Sequence, residues 1–511
     1  MLGAMGRTMA EPSMETPLMF DEVRRLVEAS STAIRLELDA APNTDISADG
    51  AAAADKCGGG AISSTAGIGA AVCRKGRYLV ARRALKAGEI MLSESPLFRG
   101  CTDGAQSRRA YVEDFAAPAI AAVKEGWHTN FCDEDCMHPC SPLVDCIAGM
   151  VLAKEQALHA EDKTKRSRSR LRLRQLAALA RTAVPGSVPD DCAKDMYSVL
   201  RPELREITSE EEMHEWLVAI TSNRFGSHDA QLDLMFAGSM FEHSCFPNCF
   251  AGTWKQKGGN HPRAYRALRD VSEGEALSID YLSLPPNYFP AADRAEILSA
   301  WGFSCTCPRC TSLPELTRAF VCNACGAPEL CPVRPGAASA VELQCRSCNH
   351  VPEAAYVEQC LRREAELRPP IHDEDGSAAA DGSEAGPLNV DLTEVLEDRV
   401  ISRFHYLAFQ AAWTHVQEGL EDQPSNLTTF RLALEALIAA IVRLFGDTRH
   451  PQLLDLYHTM AALRHGYLEE QQRFLILEHE VLEHMYPEEA ARQDEEIMKL
   501  VQGRGGPAPL S

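Results

Sequence analysis

Ser239-Met-Phe-Glu-His-Ser-Cys-Phe-Pro-Asn-Cys249, Gly274-Glu-Ala-Leu-Ser-Ile-Asp-Tyr281 and Trp301-Gly-Phe-Ser-Cys-Thr-Cys-Pro-Arg-Cys310 follow one another in that order. Pro247-Asn248 favours a tight turn. Gly274-Glu275 opens a strand that runs to Tyr281. Cys305-x-Cys307-x2-Cys310 offers three thiolates, and tetrahedral zinc wants four, so the trio needs a ligand from elsewhere.

The bulk numbers bound what surrounds this stretch. The chain has 511 residues, enough for two to four domains. A hydrophobic content of 45% is ordinary for a globular protein. No apolar run approaches the ~18 residues of a membrane span. A basic start followed by an apolar core is missing at the N-terminus, which argues against secretion. A net charge of -22 argues against general affinity for nucleic acid and suits basic partners such as Lys-rich protein tails. Most of the 19 cysteines sit in short Cys-x(1–3)-Cys pairs, which in this context read as metal ligands rather than disulfides.

Residues 1–66 are rich in Ala, Ser, Gly and Asp and read as disordered, apart from a short amphipathic helix at 21–38. Residues 76–97 read as two strands around a turn at Lys86-Ala87-Gly88. Residues 98–212 read as an insertion, Cys-rich at first and helical after. Its basic run, Lys163-Thr-Lys-Arg-Ser-Arg-Ser-Arg-Leu-Arg-Leu-Arg174, is a solvated helix face, a nuclear import signal or a nucleic-acid contact.

Cys322-x2-Cys325 and Cys345-x2-Cys348 form a second four-thiolate set at 320–352. The 19 residues from Gly326 to Gln344 fit a zinc ribbon. Four protein thiolates leave no open position, so this metal is structural. Gly326 permits the tight turn around it, and Cys331 reads as a bystander. An acidic linker at 371–389 precedes a helical region at 390–502. There Asn426 is an N-cap for a helix stopping before Gly446, and Pro451 suits the first turn of the next. Leu453, Leu456, Tyr457, Met460 and Leu463 recur at helical spacing, as in a packed bundle.

The ordered motifs of the first stretch resemble the second half of a SET domain and its post-SET zinc cluster. The chain as a whole is similar to the SET-and-MYND (split-SET) family. That resemblance implies an α+β fold: SET-type small twisted β-sheets at 67–282 with a helical insertion at 98–212. A post-SET zinc cluster at 283–312, the zinc ribbon, and a C-terminal α-helical, tetratricopeptide-like domain complete it. It further implies S-adenosylmethionine-dependent transfer of a methyl group to lysine of a protein, histone or non-histone, in nucleus or cytoplasm. The fourth thiolate of the post-SET zinc would be Cys245. Phe131-Cys132-Asp-Glu-Asp-Cys136, with His138, Cys140 and Cys146 beyond it, resembles part of a MYND finger. The opening Cys-x2-Cys pairs of such a finger are absent, so the module at 128–146 reads as degenerate.

Lysine methylation is an in-line displacement on a neutral amine, and a free lysine has a pKa near ~10.4. An apolar aromatic channel disfavours the ammonium form. By resemblance, Tyr281 supplies the hydroxyl beside the transferred methyl, while Phe225 of Asn223-Arg-Phe-Gly226 and Trp301 line or close the channel. Phe303 stacks on adenine, and Lys75, Arg77, Glu242 and His243 contact the cofactor together with Tyr281.

Two positions depart from the family pattern. Glu242 stands where the family has Asn; a carboxylate can hold the cofactor's ammonium group or sulfonium but cannot donate as an amide does. Tyr78 stands where the family has Gly in the first turn. Both departures keep open a second reading, a catalytically inactive SET and zinc scaffold for protein–protein interaction. A nucleic-acid-binding zinc protein is a third, disfavoured by the acidic balance.

Overall fold

A computed structural model describes residues 20–38, 77–101, 141–180, 190–198, 200, 202–227, 231–252, 262–299, 301, 303–311, 314–334, 341–368, 391–422, 424, 426–463, 468–486 and 490–491. Of the module at 128–146 read as a degenerate MYND finger, residues 128–140 fall outside them, as do Lys75 and the acidic linker. Cys146 is described, and lies buried on the helix Ser141–His159 within the first core.

The N-terminal segment departs from the expected single helix. A helix at Phe20–Ser30 turns into strand β1, Ile34–Leu38, which pairs antiparallel with β2, Arg77–Ala81. Val23 and Val27 sit four residues apart and both face inward, and Ile34 joins them in the core. The stretch expected as one helix is therefore a helix and a strand, and both contribute to the first core.

β2 and β3, Ile90–Glu94, were expected around one turn. Both form, but they are not partners. β3 leads a three-stranded antiparallel sheet in the order β3-β9-β8, where β8 is Cys249–Gly252 and β9 is Arg263–Ala267. β4, Phe98–Cys101, pairs with β6, Gln231–Leu234, which pairs with β5, Arg224–Ser227. β7, Glu242–His243, lies parallel to β10, Ser278–Ile279. That two-residue pair clips the first motif to the second. Backbone N–H groups of Glu242 and Ser244 donate to the carbonyls of Leu277 at 3.2 Å and Ile279 at 3.0 Å.

The helices of the insertion cover β4 and the sheets. Helix Glu210–Asn223 starts on Ser209, whose side chain and that of Glu212 form a reciprocal capping box. The basic run forms helix Lys163–Ala180. Arg172 reaches back to cover the Phe98 ring at 4.5 Å, while Lys163, Lys165 and Arg168 face solvent.

A second core joins the ribbon, β11 (Leu330–Pro332) against β12 (Leu343–Cys345), to the C-terminal helices. Helices Tyr406–Asp422 and Leu427–Phe445 pack on each other, as do Leu454–Ala462 and Leu468–Met485. Asn426 caps the second of these by accepting from the Thr428 and Thr429 N–H groups, and Gly446 ends it with φ 71°. Pro451 opens a single 3-10 turn ahead of helix Leu454–Ala462, with His450 as its cap.

Gly88 fixes how the two cores meet. It has φ +81°, and a Cβ built on it would lie 2.2 Å from the His484 carbonyl oxygen at the end of the last helix. Gly274 has φ +80° with nothing within 4 Å of such a Cβ. Gly274→Ala should therefore cost only backbone strain, about 1–2 kcal/mol. Gly88→Ala adds overpacking against backbone and should cost about 1–3 kcal/mol more. Urea unfolding of the two variants checks this; equal losses would show that the helix end yields freely.

Candidate active site and metal centres

The sulfur atoms of Cys245, Cys305, Cys307 and Cys310 all lie within 4.8 Å of one another. Cys245 sits 3.9 Å from Cys305 and 3.5 Å from Cys310. A tetrahedron with metal–sulfur bonds of ~2.3 Å has sulfurs ~3.8 Å apart, so the donor set fits zinc. The cysteines of the cluster are not joined as disulfides. The thiolate trio of one motif and the lone thiol of the other, sixty or more residues apart, thus share one small volume. Leu282 and Leu298 pack around it, with Trp301 and Phe303 against them.

His243 ties this cluster to the second motif. Its Nδ1 accepts from the Tyr281 backbone N–H at 3.1 Å, which puts the imidazole proton on Nε2. Nε2 lies 3.2 Å from the Cys245 sulfur, so the proton points at a prospective metal ligand. The ring also packs against Tyr281, with centroids 5.2 Å apart, and against Phe303 at 5.9 Å.

Tyr281 stands at the wall of a cavity of about 190 Å³. Phe225 and Trp301 line the same cavity, and Phe445 and His450 close it from the C-terminal helices. Phe303 meets Tyr281 edge-on at 6.2 Å, and Trp301 lies 6.5 Å from it. The Tyr281 hydroxyl donates to the Phe241 carbonyl at 2.5 Å. Burial, and then the negative charge of Glu242, push its phenol well above the ordinary tyrosine range. The hydroxyl is therefore neutral, and it can orient a neighbour but not act as a phenolate base. Burial pushes the His450 imidazole down to about 4, so this histidine is uncharged near neutrality.

Glu242 is buried on β7 beside Tyr281, one residue from His243 and opposite Ser278. The backbone of Arg77 begins β2, which bonds to the turn before Tyr281: Ala81 N–H donates to Glu275 at 3.0 Å, and Leu277 N–H donates to Leu79 at 2.8 Å. Among the described site residues, then, the aromatic and metal-ligand positions converge on the cavity and cluster, while Lys75 lies outside the description.

Three contributors were not anticipated. Asp280 lines the cavity next to Tyr281. Burial raises its carboxyl to about 6, although it accepts from Leu282 N–H at 3.0 Å and the Asn287 amide at 2.6 Å. It thus pins the 280–287 loop that carries Tyr281. Arg294 and Arg309 are buried against the four-sulfur cluster. No motif marks such residues; only their depth does, and burial is not readable from a single Arg in a sequence.

The second cluster is also formed. Cys322 and Cys348 sulfurs are 3.8 Å apart, and Cys325 and Cys345 are 3.7 Å apart. Each Cys-x2-Cys pair ends on a left-handed residue, Gly326 at φ 70° and Asn349 at φ 59°. Asn tolerates that conformation better than most residues, which gives the second pair the turn that glycine gives the first. Cys331 stands apart, 3.5 Å from the Arg443 guanidinium, and burial pushes its thiol up to about 11. Cys249 donates to the Asn248 amide oxygen at 3.1 Å.

Residues 76–282 match the model of the SET domain family. The chain thus carries a SET-domain region over those residues. It is similar to a SET and MYND domain-containing protein of Dictyostelium discoideum, 36% identical over 75 residues, or 14% of this chain and 17% of that relative. The matched stretch thus spans about a sixth of the relative's length. A solved structure described as the SET domain of LSMT bound to lysine and AdoHcy aligns over 86% of this chain and 89% of that one. Its identity is 11% and its TM-score 0.25, so it adds nothing to the SET-domain match.

Proposed function

We propose that this chain is an S-adenosylmethionine-dependent methyltransferase acting on lysine side chains of proteins. The observation that carries the reading is the Tyr281 hydroxyl at the wall of an aromatic cavity, held by His243 against a four-thiolate cluster.

S-adenosylmethionine, when bound, supplies an activated methyl group. The chain's own residues do the rest. Phe225, Tyr281 and Trp301 form an apolar wall that disfavours an ammonium, so a lysine entering there sheds its proton to water beforehand. The Tyr281 hydroxyl, already fixed by Phe241, limits where the amine nitrogen can sit. Phe303 offers an aromatic face for a purine, and Glu242 a carboxylate for the cofactor's cationic groups. Arg77 at the start of β2 and Lys75 before it would complete the cofactor pocket. The acidic chain suits a protein substrate whose lysine lies in a basic segment.

The substitution of Glu242 for the family's Asn favours the second reading, an inactive scaffold. Calorimetry with S-adenosylhomocysteine separates the two. Saturable binding is expected, weakened about tenfold or more by Glu242→Gln, since the amide loses a charge-assisted contact. An absence of binding to the zinc-loaded wild type would favour the scaffold.

A further inference from the structure

The four-sulfur cluster next to the cavity differs from the ribbon cluster in its surroundings. In the ribbon, Cys325 and Cys348 are exposed, and water can screen the charge of a metal centre there. The other cluster has no exposed cysteine. Zinc with four thiolates carries a formal charge of -2, and burying such a charge is costly unless it is compensated.

Two guanidiniums stand where that compensation is needed. Arg294 is fully buried, and its Nη2 lies 3.5 Å from the Cys310 sulfur. Its Nη1 reaches the Phe289 carbonyl and Glu315. Arg309 is 3% exposed and lies within the Cys-x2-Cys turn. Its Nη1 donates to the Cys245 carbonyl at 3.3 Å and to the Asn287 amide oxygen. Its Nε and Nη2 have no hydrogen-bond partner among the described residues. Two carboxylates are at hand: Glu315, which also accepts from Ala291 N–H and the Thr317 hydroxyl, both at 2.8 Å, and Asp280, which shares Asn287 with Arg309. Both guanidiniums are thereby shared between these carboxylates and the sulfurs, and the Arg294 Nη2 contact places one of them directly on a ligand of the anionic centre.

We propose that Arg294 and Arg309 are positioning residues of the Cys245/Cys305/Cys307/Cys310 zinc centre, balancing its charge and cross-tying its two halves. Arg294 acts on the sulfur of the trio, and Arg309 ties the trio's turn to the backbone of the lone ligand. The proposal rests on the zinc reading of this cluster and not on methyl transfer.

The test is zinc release from the zinc-loaded full chain to a chromogenic chelator at fixed pH. The ribbon's phase is assigned with Cys348→Ser. Arg294→Met and Arg309→Met should each speed release from the buried centre about 10- to 100-fold and leave the ribbon phase unchanged. Arg294→Lys, which keeps the charge, should lie nearer wild type than Arg294→Gln. Wild-type release from the Met variants, or equal acceleration of both phases, would overturn the proposal. So would identical behaviour of Arg294→Lys and Arg294→Gln, a pair that carries the comparison should Arg294→Met fail to fold. Wild type that binds a single zinc would remove the zinc reading and the proposal with it.

Discussion

Cys245→Ser is expected to lower bound zinc from two ions per chain to one and to abolish methyl transfer. Among the described residues there are two four-thiolate sets, and one of them includes Cys245. Serine leaves the trio Cys305, Cys307 and Cys310 without its fourth thiolate. Structural zinc contributes on the order of 10 kcal/mol or more to folding, comparable to the whole stability of a domain. The loss is local in its first effect. The cluster joins the turn after β7 to the segment carrying Trp301 and Phe303, and the small hydrophobic group around it is separate from both larger cores. The ribbon packs in the C-terminal core and should keep its ion. Cys249→Ala is the matched control, since Cys249 is buried outside both four-thiolate sets and donates to Asn248 instead. Metal analysis of the two purified variants decides the matter. Two zinc ions in a folded Cys245→Ser protein would show that another group completes the site.

How much of this was legible in the sequence follows from what each element depends on. The metal clusters were readable because thiolates at short spacing have few other uses in a chain of this kind. Helix ends were readable where the cap chemistry is local, as at Asn426 and Gly446. The partner of β2 was not. Strand pairing is set by tertiary packing, and β1 lies in a segment whose composition points to disorder. Helix periodicity carried through Phe20–Ser30, but Ile34 to Leu38 extend, and β-branched Ile34 finds its partner forty-seven residues on, at Ala81. In the site, residue types that belong to a motif could be named from the sequence, and those that act by position could not. Asp280 adjoins Tyr281 and still gave no signal, because its role in pinning Asn287 depends on a loop closing back on itself. Arg294 and Arg309 look like any solvated arginines until the cluster assembles around them. The closure of the cavity by Phe445 and His450 needs both cores in place, and nothing local to either residue announces it.

Tyr281→Phe should separate chemistry from structure. The variant keeps the ring, so the contacts with His243, Trp301 and Phe303 survive. What it loses is one hydroxyl, whose hydrogen bond to the Phe241 carbonyl is worth about 1 kcal/mol net. The unfolding midpoint should move little, zinc content should stay at two, and S-adenosylhomocysteine should bind within a few-fold of wild type. Methyl transfer should nevertheless fall by roughly 10²-fold or more, the scale seen when one pre-placed hydrogen-bonding group is removed from a reacting centre. The fall should appear in kcat more than in KM, because the hydroxyl's work is to fix the amine as the bond forms rather than to hold the substrate in the ground state. Glu242 sharpens the expectation. Its charge helps keep the phenol neutral, so the hydroxyl serves wild type as an orienting dipole across the working pH range. A pH–rate profile for wild type should then show no limb from Tyr281. Label incorporation into a Lys-rich peptide, measured for both proteins at saturating cofactor, gives the comparison. Equal rates would strip Tyr281 of any part in the chemistry and leave the cavity as a binding surface alone.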